Sequence, residues 1–164
     1  MQSNDKKIES IWADGCPENV KDEYKLNIGE LLSFAVDYIV KVFCIPEGFK
    51  VEQVVTDLEH LPNIVMKKND KLYAICVVPF LYPMYGVLTE KVRKNVVEVT
   101  KGYNATAYFC PIGFRSKDKA RAEAGLALKG DLFDVMFKGF IELKDEDNQN
   151  LAVELDQFTY LENA

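Results

Sequence analysis

The sequence holds one histidine, one tryptophan and four cysteines, and it lacks the short strings that carry chemistry in many enzymes. Gly-x-Gly-x-x-Gly, the phosphate loop, Gly-x-Ser-x-Gly and His-Glu-x-x-His are all missing, which removes the enzyme classes those motifs announce. The cysteines stand as Gly15-Cys16-Pro17, Phe43-Cys44-Ile45, Ile75-Cys76-Val77 and Phe109-Cys110-Pro111. With no Cys-x-x-Cys pair, neither zinc nor a disulfide framework is indicated, and the thiols read as reduced, with Cys16 the more exposed. His60 ends the run Asp57-Leu58-Glu59-His60 and reads as a surface side chain near a helix C-terminus. No metal site and no cofactor is expected.

Long uncharged runs are also scarce. Leu72 to Thr89 is the stretch that needs testing as a membrane span, but Pro79, Pro83 and Gly86 interrupt it. Its apolar part, Leu72 to Val78, is short and β-branched, as in a buried strand, so no membrane partner is expected. Met1 to Trp12 carries Asp5, Lys6, Lys7 and Glu9 and has no apolar core of a signal peptide, which predicts a cytoplasmic protein.

What is present is the composition of one folded domain: 164 residues, 48% hydrophobic and 28% charged. Net charge is −6 and unevenly spread. Residues 1–59 carry 6 basic and 12 acidic side chains, residues 60–130 carry 12 and 5, and residues 131–164 carry 2 and 9. The basic middle contains Lys67, Lys68 and Lys71, then Arg115, Lys117, Lys119 and Arg121. Lys67, Lys68, Lys71, Arg115 and Lys117 are therefore the candidate anion-binding residues; the plainer reading is a basic middle neutralised by its acidic flanks. Nucleic acid stays an admissible but disfavoured partner, because phosphate repels a net anion.

Three segments follow from pattern: a polar N-terminal arm over 1–27, one α+β domain over 28–143, and an acidic segment packed on it over 144–164. Glu30, Ser33, Asp37 and Lys41 form one polar stripe on an otherwise apolar helix from Ile28 to Cys44. Val51, Val54, Val55 and Leu58 have helical spacing and predict a second helix from Lys50 to Leu61. Asn63–Met66 and Leu72–Val78 read as a β-hairpin turning at Asn69-Asp70. Thr89 is a plausible N-cap for a helix turning Val92, Val96 and Val99 inward and ending at Gly102. Ala105–Ile112 is a third strand, Ser116 or Asp118 caps a short helix through Leu128, and Leu132–Leu143 supplies one or two more strands. The expected architecture is α+β, a central mixed sheet flanked by helices. Phe80-Leu81-Tyr82-Pro83-Met84-Tyr85 looks like an apolar loop seeking cover, and Phe80–Tyr85 is the candidate surface for a homo-oligomer.

Helix, hairpin, helix, strand resembles the αβββαβ core of the PD-(D/E)xK superfamily, the restriction-endonuclease-like fold. The resemblance covers Ile28 to about Ile112. It implies an Asp after a Pro at the start of one strand and an acid-x-Lys on the next. Here Asn63 follows Pro62, while Cys76 and Val78 stand where acid and Lys would fall. Two carboxylates are needed to hold Mg²⁺, and Lys to place the attacking water. Cys is a soft ligand for a hard cation and Val offers nothing, so Asn63, Cys76 and Val78 mark a degenerate motif with no catalytic residue.

The expected function is accordingly a non-catalytic binding or interaction protein. One alternative is a Mg²⁺-dependent nuclease or phosphodiesterase whose acids have moved to Glu52, Asp57 or Glu59. Another is an acidic protein-binding module using Asp145, Glu146 and Asp147.

Overall fold

The computed structural model describes residues 12–84, 87–137, 139–143 and the backbone of 151–152. It is an α+β protein with a mixed sheet between helices. Helix α1 (Ile28–Ile39) starts on a reciprocal cap: Asn27 Oδ1 accepts from Glu30 N at 2.8 Å, and Glu30 Oε1 accepts from Asn27 N at 3.2 Å. It buries Leu31, Leu32, Ala35, Val36 and Ile39 on the sheet. The polar stripe is where the spacing puts it, with Lys41 Nζ 3.0 Å from Asp37 Oδ2. Beyond Ile39 the backbone widens into a π turn, Val40–Cys44, which rotates the following side chains. Val42 and Ile45 are left exposed, Val42 on the same hollow as Phe34.

The segment expected as a second helix is not one. Lys50–Val54 is strand β1, an exposed edge paired antiparallel to β2 (Ile64–Lys68), and residues 55–62 are turns and irregular chain. The valines that mimic helical spacing are β-branched, and an unpaired neighbouring strand captures them. β2 and β3 (Lys71–Leu81) form the expected hairpin, but its turn is only Asn69-Asp70, both at positive φ. Lys67, Lys68 and Lys71 are thus strand residues rather than loop residues.

After β4 (Val87–Leu88), Thr89 caps α2 (Glu90–Lys101) by accepting from Val92 N. Its inward residues are Arg93, Val96, Val97 and Thr100; Val99, expected inward, is exposed. β5 (Ala105–Ser116) lies parallel to β3, and α2 is the crossover between them. Helix α3 is shorter than expected, Lys119–Glu123 after the N-cap Asp118, because Gly125 takes φ +66°. β6 (Phe133–Met136) pairs antiparallel with β5 and closes the sheet order β1-β2-β3-β5-β6; β7 (Ile141–Glu142) pairs with β5 further along. β8 (Leu151–Ala152) pairs with β4. The rest of the expected acidic segment, with Asp145, Glu146 and Asp147, lies outside the described residues, as does Tyr85.

The sheet has an α1 face, carrying Tyr73, Ile75, Val77, Cys110, Ile112 and Phe114, and an α2 face, carrying Cys76, Ala107 and Phe109. No helix among the described residues is long and apolar enough to cross a membrane.

Candidate functional site

Asn63 immediately precedes β2, and Cys76 and Val78 lie on β3. Asn63 stands opposite Cys76, since Ile64 pairs with Ile75 and Asn63 N donates to Ile75 O at 2.9 Å. Both ends of its amide are engaged: Oδ1 accepts from Val77 N at 2.7 Å and Nδ2 donates to Val55 O at 3.3 Å. Asn63 and Cys76 are each 1% exposed, and burial pushes the Cys76 thiol up to about 12. Cys76 and Val78 floor a cleft of about 220 Å³ walled by Leu58, Leu61, Leu88 and Val92. The cleft lining is mostly aliphatic and brings no carboxylate, the ligand a hard divalent cation prefers.

Glu52 lies on β1 near Lys50, and Asp57 and Glu59 lie in turns, not on the helix expected for them. Asp57 is occupied by His60 Nδ1 at 2.7 Å and Glu59 N at 2.9 Å, contacts that hold its carboxyl below the usual range. Among the described residues no three His, Cys, Asp or Glu side chains gather as a metal group would require.

The candidate anion-binding residues fall into two places. Lys71 opens β3, whereas Arg115 and Lys117 lie at its far end, where Leu81 pairs with Phe114. Ten residues of strand separate them by roughly 33 Å. At the hairpin, Lys68 Nζ donates to Glu47 O at 2.7 Å and lies over the Phe49 ring. Arg121, grouped with the basic residues by sequence, is buried: its Nε and Nη2 each lie 2.9 Å from Asp131, and its Nη1 donates to Ala13 O and Gly15 O. Asp118 Oδ2 accepts from Gly15 N at 2.7 Å. Arg121 therefore ties the N-terminal arm to the domain. Its ten-residue separation from Asp131 gave no periodic signal by which to find the pair.

A hollow of about 640 Å³ runs between α1 and β6. Leu31, Phe34 and Tyr38 form one wall and Phe114, Phe133 and Val135 the other. Phe34 is 54% exposed and Val42 50%. The groove exists because β6 extends the sheet past α1, so that Phe133 and Val135 are only partly buried. Its rim charges pair with each other, Asp37 with Lys41 and, at 4.0 Å, Glu30 with Lys129. Leu26 closes one end, held by Leu26 N donating to Ala127 O and Lys129 N donating to Tyr24 O. β6 is the last strand of the sheet, and among the described residues its outer edge meets no other strand.

A family model matches residues 29–143, from the first turn of α1 to just past β7. The chain belongs to the family described as a domain of unknown function (DUF8840). No curated protein matches it. The matched DUF8840 region contains both walls of the groove, the cleft at Cys76 and both basic clusters, while Arg121 binds carbonyls of Ala13 and Gly15 that precede it.

Proposed function

We propose that this DUF8840 protein is a non-catalytic binding protein on a nuclease-like scaffold, and that its binding surface is the groove between α1 and β6. The order α1, three-strand meander, α2, parallel β5 supports the scaffold reading. The sealing of Asn63 and Cys76 supports the absence of phosphodiester chemistry. The observation that carries the binding reading is an apolar groove lying along an edge strand. An extended segment of a partner polypeptide satisfies both: its main chain pairs with the outer edge of β6, and alternate apolar side chains enter beside Phe34, Phe133 and Val135. Each such side chain, fully buried, contributes about 1.5–3 kcal/mol. The self-paired rim calls for no net charge on the bound segment.

Selection of random displayed peptides on the full chain tests this. Enriched peptides are expected to carry apolar residues at alternate positions and to lose binding to Phe34→Asp, whose exposed position tolerates the change. No enrichment, or enriched peptides indifferent to Phe34→Asp, would refute the groove.

A further inference from the structure

On the opposite face of β6 lies a polar pocket of about 270 Å³, lined by Tyr82, Arg115, Lys117, Lys119, Glu123 and Asp134 among others. It sits beyond the carboxyl ends of the parallel strands β3 and β5, the place where open sheets of this kind receive ligands. Asp134 is the organising group: Oδ2 lies 3.2 Å from Arg115 Nη2, and Oδ1 2.9 Å from Lys117 Nζ. One carboxylate serving two cations leaves one positive charge uncompensated. The Arg115 guanidinium also lies over the Tyr82 ring, 5.8 Å from its centroid, which orients the fork. Lys119 is held loosely, 4.0 Å from Glu123 with its side chain 88% exposed, and is free to turn inward.

We infer that this pocket binds the phosphate group of a phosphate monoester, with Arg115 and Lys117 shared between that group and Asp134 and with Lys119 adding a third donor. The guanidinium fork matches tetrahedral oxyanions, and two lysines supply point charges. Among the described residues no carboxylate gathers the hairpin lysines, and Lys68 is engaged with Glu47 O.

The probe is inorganic phosphate, titrated into the full chain at constant ionic strength against chloride and followed by backbone amide NMR shifts. Saturable shifts confined to residues 82, 115–119 and 134 are expected. Lys119→Ala, an exposed change that cannot unfold the domain, should weaken binding severalfold, and Lys117→Ala about tenfold. Asp134→Asn removes the competing carboxylate and should tighten binding, whereas a nonspecific basic surface would respond only weakly. Lys67→Ala should change nothing. Shifts spread equally over the hairpin, or an Asp134→Asn variant that binds no better, would overturn the proposal.

Discussion

Two apolar hollows lie on opposite faces of the same sheet. The cleft at Cys76 and Val78 is small and backed by residues whose polar groups are already spent. Asn63 engages both ends of its amide, on Val77 N and Val55 O, and buried Cys76 packs with Leu88 and Val92. The groove between α1 and β6 is three times larger and is bordered by a strand edge and by exposed Phe34 and Val42. Both open at the surface, the cleft past exposed Leu58 and Val87, but the cleft ends on buried Cys76, whereas the groove is bordered by a strand edge. What separates them is backbone geometry: the π turn that ends α1 and the overhang of β6.

Opposite responses to charge would sharpen that contrast. Asn63→Asp combined with Cys76→Glu restores the acids a nuclease would need, yet it buries carboxylates against the Val55 carbonyl and aliphatic walls. A loss of about 3 kcal/mol or more is expected, with no gain of Mg²⁺-dependent cleavage. Chemical denaturation with a nuclease assay measures both, and a stable, active variant would break the comparison. Phe34→Asp in the groove should change stability by less than about 0.5 kcal/mol.

The Arg121–Asp131 pair gives a result of similar size. Asp131→Ala leaves the buried guanidinium without its bidentate partner and should cost about 3–5 kcal/mol, freeing residues 13–15 to proteolysis. A smaller effect follows within the sheet, where Gly113 pairs with Phe80 and Met136. A Cβ on Gly113 would stand 2.6 Å from Phe80 Cε2 and Cζ and 2.8 Å from Met136 Cε. Gly113→Ala should therefore cost about 1–3 kcal/mol in thermal or chemical melts.

Thiol chemistry and acid probe the same division more gently. Burial raises Cys44 and Cys76 to about 12 and Cys110 well above its ordinary value. At pH 8 only exposed Cys16 should react with a thiol reagent before unfolding, and labelling of Cys76 would show the cleft to be open. Asp118 is held below the usual carboxylate range by Gly15 N–H and Arg121 N–H, and Asp134 by Lys117 and Arg115. Groups depressed in the folded state stabilise it above the unfolded carboxylate range, about pH 4, and that contribution fades as pH falls through their folded values. Asp134→Asn should flatten this acid limb slightly.

Much of the fold was legible because local signals agreed with the final context. The Asn69-Asp70 turn, the Thr89 cap and the apolar run of β3 each specify their element alone. Lys50–Leu61 was misleading because a 3-4-7 spacing of valines fits a helix, whereas pairing with β2 decides the outcome. That Asn63 and Cys76 stand opposite each other follows from the hairpin, whose turn at Asn69-Asp70 sets the register. The groove could not be located that way, since it depends on how far β6 projects past α1. Likewise, Arg121 and Arg115 look alike in sequence, and only the fold buries one and exposes the other.

Hydrogen exchange of the β6 amides, with and without a peptide selected on the groove, tests the central claim most directly. In the free protein, outward-facing amides of Phe133–Met136 should exchange quickly, and bound peptide should slow them while leaving β1 unchanged. A peptide that binds while β6 exchange stays the same would contradict the account.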